Sequence, residues 1–258
     1  MQQRLWARVE YDGADFFGFQ VQAHERTVQG EIERAIRAVT GTEVRVVGAG
    51  RTDRGVHARG QVIAFTVEWQ HDLLILQRAL NAVLAADVAI LALGPATEEF
   101  HPRFSARSRT YRYTVLNQTG RLPLERRRAW HVAQPLAEGR MAAASRCLLG
   151  KNDFATFGRP VHGDNTVRTV FRADWEACDT MQGARLLTFE IEADAFLNRM
   201  VRSIVGTLVL VGLGELTVSE FEGLLWARDR SQVRLVAPAH GLCLMRVDHD
   251  EMCEGVVQ

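Results

Sequence analysis

Markers of several protein classes are missing from this sequence of 258 residues. The four cysteines form no C-x-x-C pair and no regular framework, which argues against a disulfide scaffold and a structural zinc site. The longest apolar run, near residues 203–214, is shorter than the roughly 18 residues of a membrane span. The charged start, MQQRLWARVEYDG, is unlike a signal peptide. We therefore expect a cytoplasmic protein with free thiols and no membrane partner.

Lysine is almost absent, because Lys151 is the single lysine among 31 basic residues. The 31 acidic residues cancel this charge, so any nucleic acid must be recognised locally rather than through an overall basic field. Residues 101–130 hold one acidic residue, Glu125, and eight arginines: Arg103, Arg107, Arg109, Arg112, Arg121, Arg126, Arg127 and Arg128. Eight positive charges minus one leave a local net charge of +7. Guanidinium groups match phosphate oxygens in pairs, so this segment is either a phosphate-binding surface or a solvated arginine-rich loop.

Strand and helix patterns alternate along the chain, whose 47% hydrophobic and 24% charged residues are typical of a folded protein. In the first hundred residues, apolar runs predict strands at 5–10, 43–49, 61–68 and 88–93. Helices capped by Thr27 and Asp72 are predicted to end near residues 39 and 84.

The second half repeats this order, with predicted strands at 110–117, 167–176, 185–194 and 242–248. Helices are predicted at 136–149, at 196–211 and, capped by Ser219, at 219–227. Each half has the order of a split βαβ unit. We therefore predict an α+β protein with two ferredoxin-like halves, residues 1–100 and 101–258, whose antiparallel sheets meet at a central basic cleft.

The loop GAGRTDRGVHARGQ, residues 48–61, is the densest cluster of unusual residues. Its glycines permit backbone shapes that are closed to other residues, and Asp53 lies among cationic side chains. The spacing fits neither a dinucleotide-binding motif nor a phosphate loop. An aimed carboxylate could act as a nucleophile on a sugar or base carbon. The structural alternative is a tight turn between strands in which the aspartate caps its own backbone.

Four segments stand in the order and spacing of the tRNA pseudouridine synthase A (TruA) family: GAGRTDRGVH, FHPRFSARSRTYRY, FLNRMVRSIVGTL and APAHGLCLMRVD. The start, EYDGADFFGFQ followed by TVQGEIERAI, resembles that family's opening, so the resemblance covers residues 10–248. It implies an isomerase that acts on uridine in the anticodon arm of tRNA, at nucleotides 38, 39 and 40. It also implies that no cofactor is needed and that the protein usually forms a homodimer. No metal site is expected, because the eight histidines show no i, i+4 pairing.

The same resemblance assigns roles to individual residues. Asp53 corresponds to the catalytic aspartate, and Arg51 to the arginine that helps to extrude the target base and hold its phosphate. Tyr111 corresponds to the aromatic residue that packs on the uracil, and Arg202 to the basic partner of the aspartate. We assign six further residues to substrate binding: His57, Arg54, Arg126, Arg127, Arg128 and Leu244. Three positions depart from the family: Arg54 replaces a common alanine, Ala85 a usual proline and Cys243 a frequent tyrosine.

Pseudouridine formation needs a nucleophile, a stacking surface and a closed cleft, because the uracil leaves C1′ through N1, turns and returns through C5. Asp53 could attack C1′ or C6, and the sequence leaves this choice open. A non-catalytic protein that binds or folds tRNA with the same cleft is the alternative function. A nucleoside or glycoside hydrolase would need a second carboxylate about 5 to 9.5 Å away, and the sequence offers no obvious candidate.

Overall fold

The computed structural model describes residues 2–180 and 183–249, which form a mixed α+β protein with ten strands and five α-helices. Two compact units divide these residues: the first holds 2–107 and 244–249, and the second is Ser108–Cys243. The predicted halves, 1–100 and 101–258, differ from these units because the chain returns to the first unit at its last strand. No helix in the described ranges is long and apolar enough to cross a membrane.

The first unit follows the predicted order of strand, helix, strand, strand, helix and strand. Its elements are β1 (Gln2–Tyr11), α1 (Val28–Thr40), β2 (Val47–Gly48), β3 (His57–Glu68), α2 (Leu73–Val83) and β4 (Val88–Pro95). Strand β1 lies between β4 and β3, and both pairs are antiparallel. The predicted strand at 43–49 is reduced to β2, which pairs with Ile63 and Ala64 of β3.

The helices of this unit begin where the sequence predicts. The Thr27 side chain accepts a hydrogen bond from the amide of Gly30 at 3.3 Å, and Asp72 accepts one from Leu74 at 2.7 Å. Both bonds satisfy amide groups that the first helical turn leaves without an internal partner. Helix α1 buries Ile32 and Ile36 completely, and each such side chain stabilises the fold by about 1.5–3 kcal/mol.

The last strand, β10 (Leu242–His249), lies next to β3 in strand order, and its residues from Leu244 onward belong to the first unit. Gly60 of β3 allows this approach: a Cβ atom at Gly60 would lie 2.4 Å from the carbonyl oxygen of Met245. Distant parts of the chain therefore build one unit.

Four strands of the second unit pair in antiparallel order, and a fifth, short strand pairs in parallel with one of them. Its strands are β5 (Ala106–Asn117), which begins in the first unit, β6 (Trp130–Val132), β7 (Gly150–Asp153), β8 (Val167–Asp179) and β9 (Arg185–Ala193). The four antiparallel strands run in the order β5–β9–β8–β7, and β6 pairs in parallel with β5. Its helices are α3 (Glu138–Ser145), α4 (Met200–Gly212) and α5 (Val218–Ala227).

Several sequence predictions for this unit are wrong in detail. Helix α4 begins at Met200 rather than at residue 196, because Arg199 has a left-handed backbone (φ 61°) that cannot continue a helix. Helix α5 is capped by Thr217 rather than Ser219, in a reciprocal capping box with Glu220. The predicted helix at 136–149 ends at residue 145 and continues as a 3₁₀ turn. Strands β6 and β7 are too short to give an alternating pattern.

Candidate active site

Asp53 lies in a tight turn of the first unit, between β2 and β3. The amide of Val56 donates to the carbonyl of Asp53 at 3.1 Å, and Gly55 has φ 80°, as the third residue of a type II turn requires. A second glycine, Gly18 (φ 93°), packs against this turn. A Cβ atom at Gly18 would lie 2.8 Å from the carbonyl oxygen of Thr52 and 3.4 Å from the carbonyl carbon of Asp53. Two glycines therefore determine the backbone path on which the carboxylate is carried.

Hydrogen bonds hold the turn on both sides of Asp53. The amide of Phe19 donates to the carbonyl of Thr52 at 3.1 Å, and the amide of Gly55 donates to that of Phe16 at 3.3 Å. The buried hydroxyl groups of Tyr11 and Thr52 are 2.8 Å apart. Asp53 itself is half-buried, so a rigid, buried framework presents a carboxylate that solvent can still reach.

Arg51 and Arg54 flank Asp53 and are both exposed. The guanidinium carbon of Arg54 lies 4.0 Å from the centre of the Phe17 ring, a cation–π contact. The sequence raised the question of whether Arg54 alters the charge beside Asp53. The cation–π contact holds the Arg54 guanidinium on the Phe17 ring, next to the Asp53 turn.

His57 and Leu244, both predicted to bind substrate, are buried in the first unit. The Nδ1 atom of His57 accepts a hydrogen bond from the amide of Gly13 at 3.1 Å. Asp12 Oδ1 is also 3.1 Å from this nitrogen, but a nitrogen that accepts from Gly13 carries no proton to donate. The contact therefore links the 3₁₀ turn at Gly13 to the start of β3, which is a structural role for His57.

Tyr111 lies on β5 of the second unit, opposite Ile191 of β9. It is 9% exposed, and its ring meets that of Phe196 edge to face, with centroids 5.0 Å apart and planes at 83°. Two residues further along the same strand, Tyr113 is fully buried and donates its hydroxyl to the carbonyl of Pro238 at 2.8 Å. Burial raises the pKa of Tyr113, and the nearby Arg202 opposes this effect.

Arg202 is the one residue of α4 that is not buried. Its Nε donates to the carbonyl of Ala237 at 2.8 Å, and the amide of Ala237 donates back to the carbonyl of Arg202 at 3.0 Å. One helical turn later, a Cβ atom at Gly206 would lie 2.2 Å from the carbonyl oxygen of Leu235. The close approach and the paired bonds hold residues 235–237 against α4, and the Nε bond anchors the Arg202 side chain to them.

The arginine-rich segment divides into structural and exposed residues. Arg112 pairs with Glu190 at 2.9 Å, and the buried Arg109 donates to the carbonyl of Asp194 at 2.7 Å. These two arginines contribute to strand pairing, so the surface charge is smaller than the predicted +7. Four arginines on the loop after β5 are exposed: Arg121, Arg126, Arg127 and Arg128.

The predicted site residues fall in both units. The first unit contains Arg51, Asp53, Arg54, His57 and Leu244, and the second contains Tyr111, Arg126, Arg127, Arg128 and Arg202. Gly18, Tyr11 and Thr52 hold the Asp53 turn and were not among the site residues predicted from the sequence. The glycine between aromatic residues in EYDGADFFGFQ was the available signal for Gly18.

Comparisons with known proteins agree with the resemblance. A family model described as tRNA pseudouridine synthase matches residues 7–105 and 144–250. The tRNA pseudouridine synthase A of Roseiflexus sp. (strain RS-1) is 42% identical over 244 residues, covering 95% of this chain and 90% of that protein. The protein of the same name from Chloroflexus aurantiacus is 45% identical over 241 residues (92% and 85%), and that from Agrobacterium fabrum is 41% identical over 254 residues (96% and 93%). The chain belongs to the tRNA pseudouridine synthase family.

Proposed function

We propose that this protein isomerises uridine to pseudouridine in the anticodon arm of tRNA, at nucleotides 38–40, with Asp53 as its nucleophile. Membership of the family supports an isomerase that acts on tRNA. The observation that carries the role of Asp53 is its turn, in which two glycines with positive φ and a buried Tyr11–Thr52 contact fix the backbone. A carboxylate that only capped a loop would not need a framework of this kind.

The isomerisation balances without any added reagent. The carboxylate of Asp53 attacks C1′ and displaces N1, or it adds to C6 of the ring so that the uracil can leave and return. The uracil then turns and C5 bonds to C1′. In the first route this bond displaces the carboxylate from C1′, and in the second the carboxylate leaves C6 as C5 gives up its proton. C5 loses its proton to solvent and N1 gains one. A label on C5 is therefore released once per turnover.

The other site residues would act on the extruded nucleotide. Tyr111 would give the flipped base a stacking surface, an interaction worth about 1–3 kcal/mol per base. Arg51 would hold the phosphate of that nucleotide, and Arg202 would keep the catalytic carboxylate ionised as water leaves. Arg126, Arg127 and Arg128 would contact the tRNA backbone, which RNA-binding proteins read through shape and charge.

Three finer features also belong to this proposal. Each unit would be a variant of the ferredoxin-like split βαβ unit, and tRNA would bind at a basic cleft. Arg54 would contact the substrate from the Asp53 loop, and the buried His57 and Leu244 would contribute to substrate binding by supporting this surface from β3 and β10. The enzyme would act as a cytoplasmic homodimer.

Tritium release from tRNA labelled at uracil C5 tests the proposal. We expect Asp53→Asn and Asp53→Ala to bind tRNA with release at background, because neither side chain can act as a nucleophile. Glu98→Gln, which removes an exposed carboxylate of the same unit, is the matched control and should release tritium as the wild type does. Release by the Asp53 variants would remove the nucleophile assignment. A folded wild type that binds several tRNAs and releases nothing would instead be the non-catalytic binder.

A further inference from the structure

Three arginines of the second unit come from separate segments that hydrogen bonds bring together: Arg159, Arg199 and Arg230. The amide of Asn198 donates to the carbonyl of Arg159 at 2.9 Å, within an isolated antiparallel bridge. The amide of Asp229 donates to the hydroxyl of Thr156 at 3.1 Å. The segments containing residues 156–159, 198–199 and 229–230 are therefore neighbours.

A glycine permits this approach. A Cβ atom at Gly158 would lie 2.4 Å from the Cβ of Leu197 and 3.1 Å from the carbonyl oxygen of Asn198. Only a residue without a side chain fits between the segment that carries Arg159 and the segment that carries Arg199. The clustering of the arginines is thus part of the local fold.

The three arginines form no ion pair with any described residue. Nη1 of Arg230 is buried and has no hydrogen-bond partner among the residues of the structure. Burial lowers the pKa of Arg230, and the charges of Arg159 and Arg199 lower it further. An intramolecular ion pair would have the opposite effect, so the cluster concentrates positive charge that the described residues do not neutralise.

The carboxylates on neighbouring segments are engaged elsewhere. Asp153 pairs with Arg228 at 3.1 Å. Asp229 accepts from the amide of Ser231 at 2.9 Å, and Asp194 accepts from the amide of Thr169 at 3.1 Å. Arg228, two residues before Arg230, is therefore neutralised while the cluster is not.

The backbone at Arg199 adds a second feature. Arg199 adopts φ 61°, a conformation that residues with a side chain rarely take. It immediately precedes α4, a helix of 13 residues whose first turn contains no acidic residue and whose start has no side-chain cap. The helix dipole adds partial positive charge at this end. The uncapped start of α4 and its dipole therefore favour an anion beside the arginines.

We infer that Arg159, Arg199 and Arg230 form a phosphate-binding site whose ligand is a backbone phosphate of the bound tRNA. This inference rests on the proposed function. Guanidinium groups offer paired N–H donors that match phosphate oxygens. A phosphodiester would accept hydrogen bonds from the exposed side chains of Arg159 and Arg199, and its charge would offset the mutual repulsion of all three guanidinium groups. The site is separate in sequence from Arg126, Arg127 and Arg128.

Binding of unmodified tRNA over a series of salt concentrations tests the site. We expect Arg159→Gln, Arg199→Gln and Arg230→Gln each to weaken tRNA binding by about tenfold at low salt and to reduce the slope of log K against log salt by about one. Arg230→Lys should retain the wild-type slope with weaker binding, because it keeps the charge and loses the paired donors. Arg228→Gln, which removes the neighbouring ion-paired arginine, is the control and should leave both quantities unchanged.

A second measurement separates tRNA from free phosphate as the ligand. We expect sodium phosphate to raise the melting temperature of the wild type, relative to sodium chloride of equal ionic strength, and to have less effect on Arg230→Gln. The inference would be overturned if all three glutamine variants bound tRNA with the wild-type affinity and salt slope. If phosphate in that case still stabilised the wild type more than Arg230→Gln, the ligand of the cluster would be a free anion and not tRNA. Tritium release by the wild type is measured separately, so a failure of the proposed enzymatic function is distinguishable from a failure of this site.

Discussion

The two units hold their functional groups by different means. In the first unit, Asp53 sits on a turn whose path depends on the positive φ of Gly18 and Gly55. In the second unit, Tyr111 and Arg202 sit on a regular strand and a regular helix. Backbone contacts thus position the Asp53 carboxylate, whereas side-chain packing and hydrogen bonds position the Tyr111 ring and the Arg202 guanidinium. The first arrangement should tolerate change least, because a backbone clash cannot be relieved by choosing another rotamer.

Gly18→Ala, in the first unit, should cause the largest loss of stability and of activity. A left-handed backbone costs a residue with a side chain about 1–2 kcal/mol, and the new methyl group adds about 1–3 kcal/mol through its contact with the carbonyl of Thr52. Because the displaced atoms belong to the Asp53 turn, tritium release per folded molecule should fall as well. Urea unfolding and tritium release measure the two effects.

Gly41→Ala is the matched control for this substitution. Gly41 also has a positive φ (72°), but a Cβ atom there would meet nothing within 4 Å. Gly41→Ala should lower the free energy of unfolding only by the cost of the left-handed backbone, about 1–2 kcal/mol, and should release tritium as the wild type does. Equal losses in both variants would mean that the contact between Gly18 and the turn does not position Asp53.

Tyr113→Phe should give an intermediate effect in the second unit. The substitution keeps the buried ring and removes the hydroxyl that donates to Pro238 at 2.8 Å. The unpaired carbonyl should cost about 1–3 kcal/mol. Activity per folded molecule should change less than in Gly18→Ala, because the paired bonds between Arg202 and Ala237 remain. If Tyr113→Phe lost as much tritium release as Gly18→Ala at comparable stability, the first unit would not be the one that tolerates change least.

Thr217→Ala should give the smallest effect. It removes the cap of α5 and should lower the free energy of unfolding by about 1 kcal/mol without changing tritium release. Ser219→Ala removes the other hydroxyl near the start of the same helix, which accepts no capping bond, and should be neutral within about 0.5 kcal/mol. If Ser219→Ala proved the more destabilising variant in urea, the capping box would be assigned to the wrong residue.

Most helix caps were predictable from the sequence, although the cap of α5 is Thr217 and not Ser219, whereas long-range pairing was not predictable. Thr27 and Asp72 were identified as caps because a cap and its helix are adjacent in the chain. The partners of Arg109 and Arg112 lie some eighty residues away on β9 and beyond, so the sequence overestimated the exposed charge of that segment. The left-handed backbone of Arg199 makes α4 begin at Met200, four residues after the predicted start, and the residue type does not reveal that conformation. Tyr111 and Arg202 were predicted as site residues only through family resemblance, since strand aromatics and helix arginines are common.

The return of β10 to the first unit has a consequence for synthesis on the ribosome. The stretch of β3 around Gly60 stays without its neighbour until residues 244–249 have been made, after the whole of the second unit. Met245 follows Gly60 by 185 residues, so at about 5–20 residues per second that delay is roughly 9 to 37 s. During this interval the nascent chain presents a bare sheet edge to any other extended polypeptide nearby.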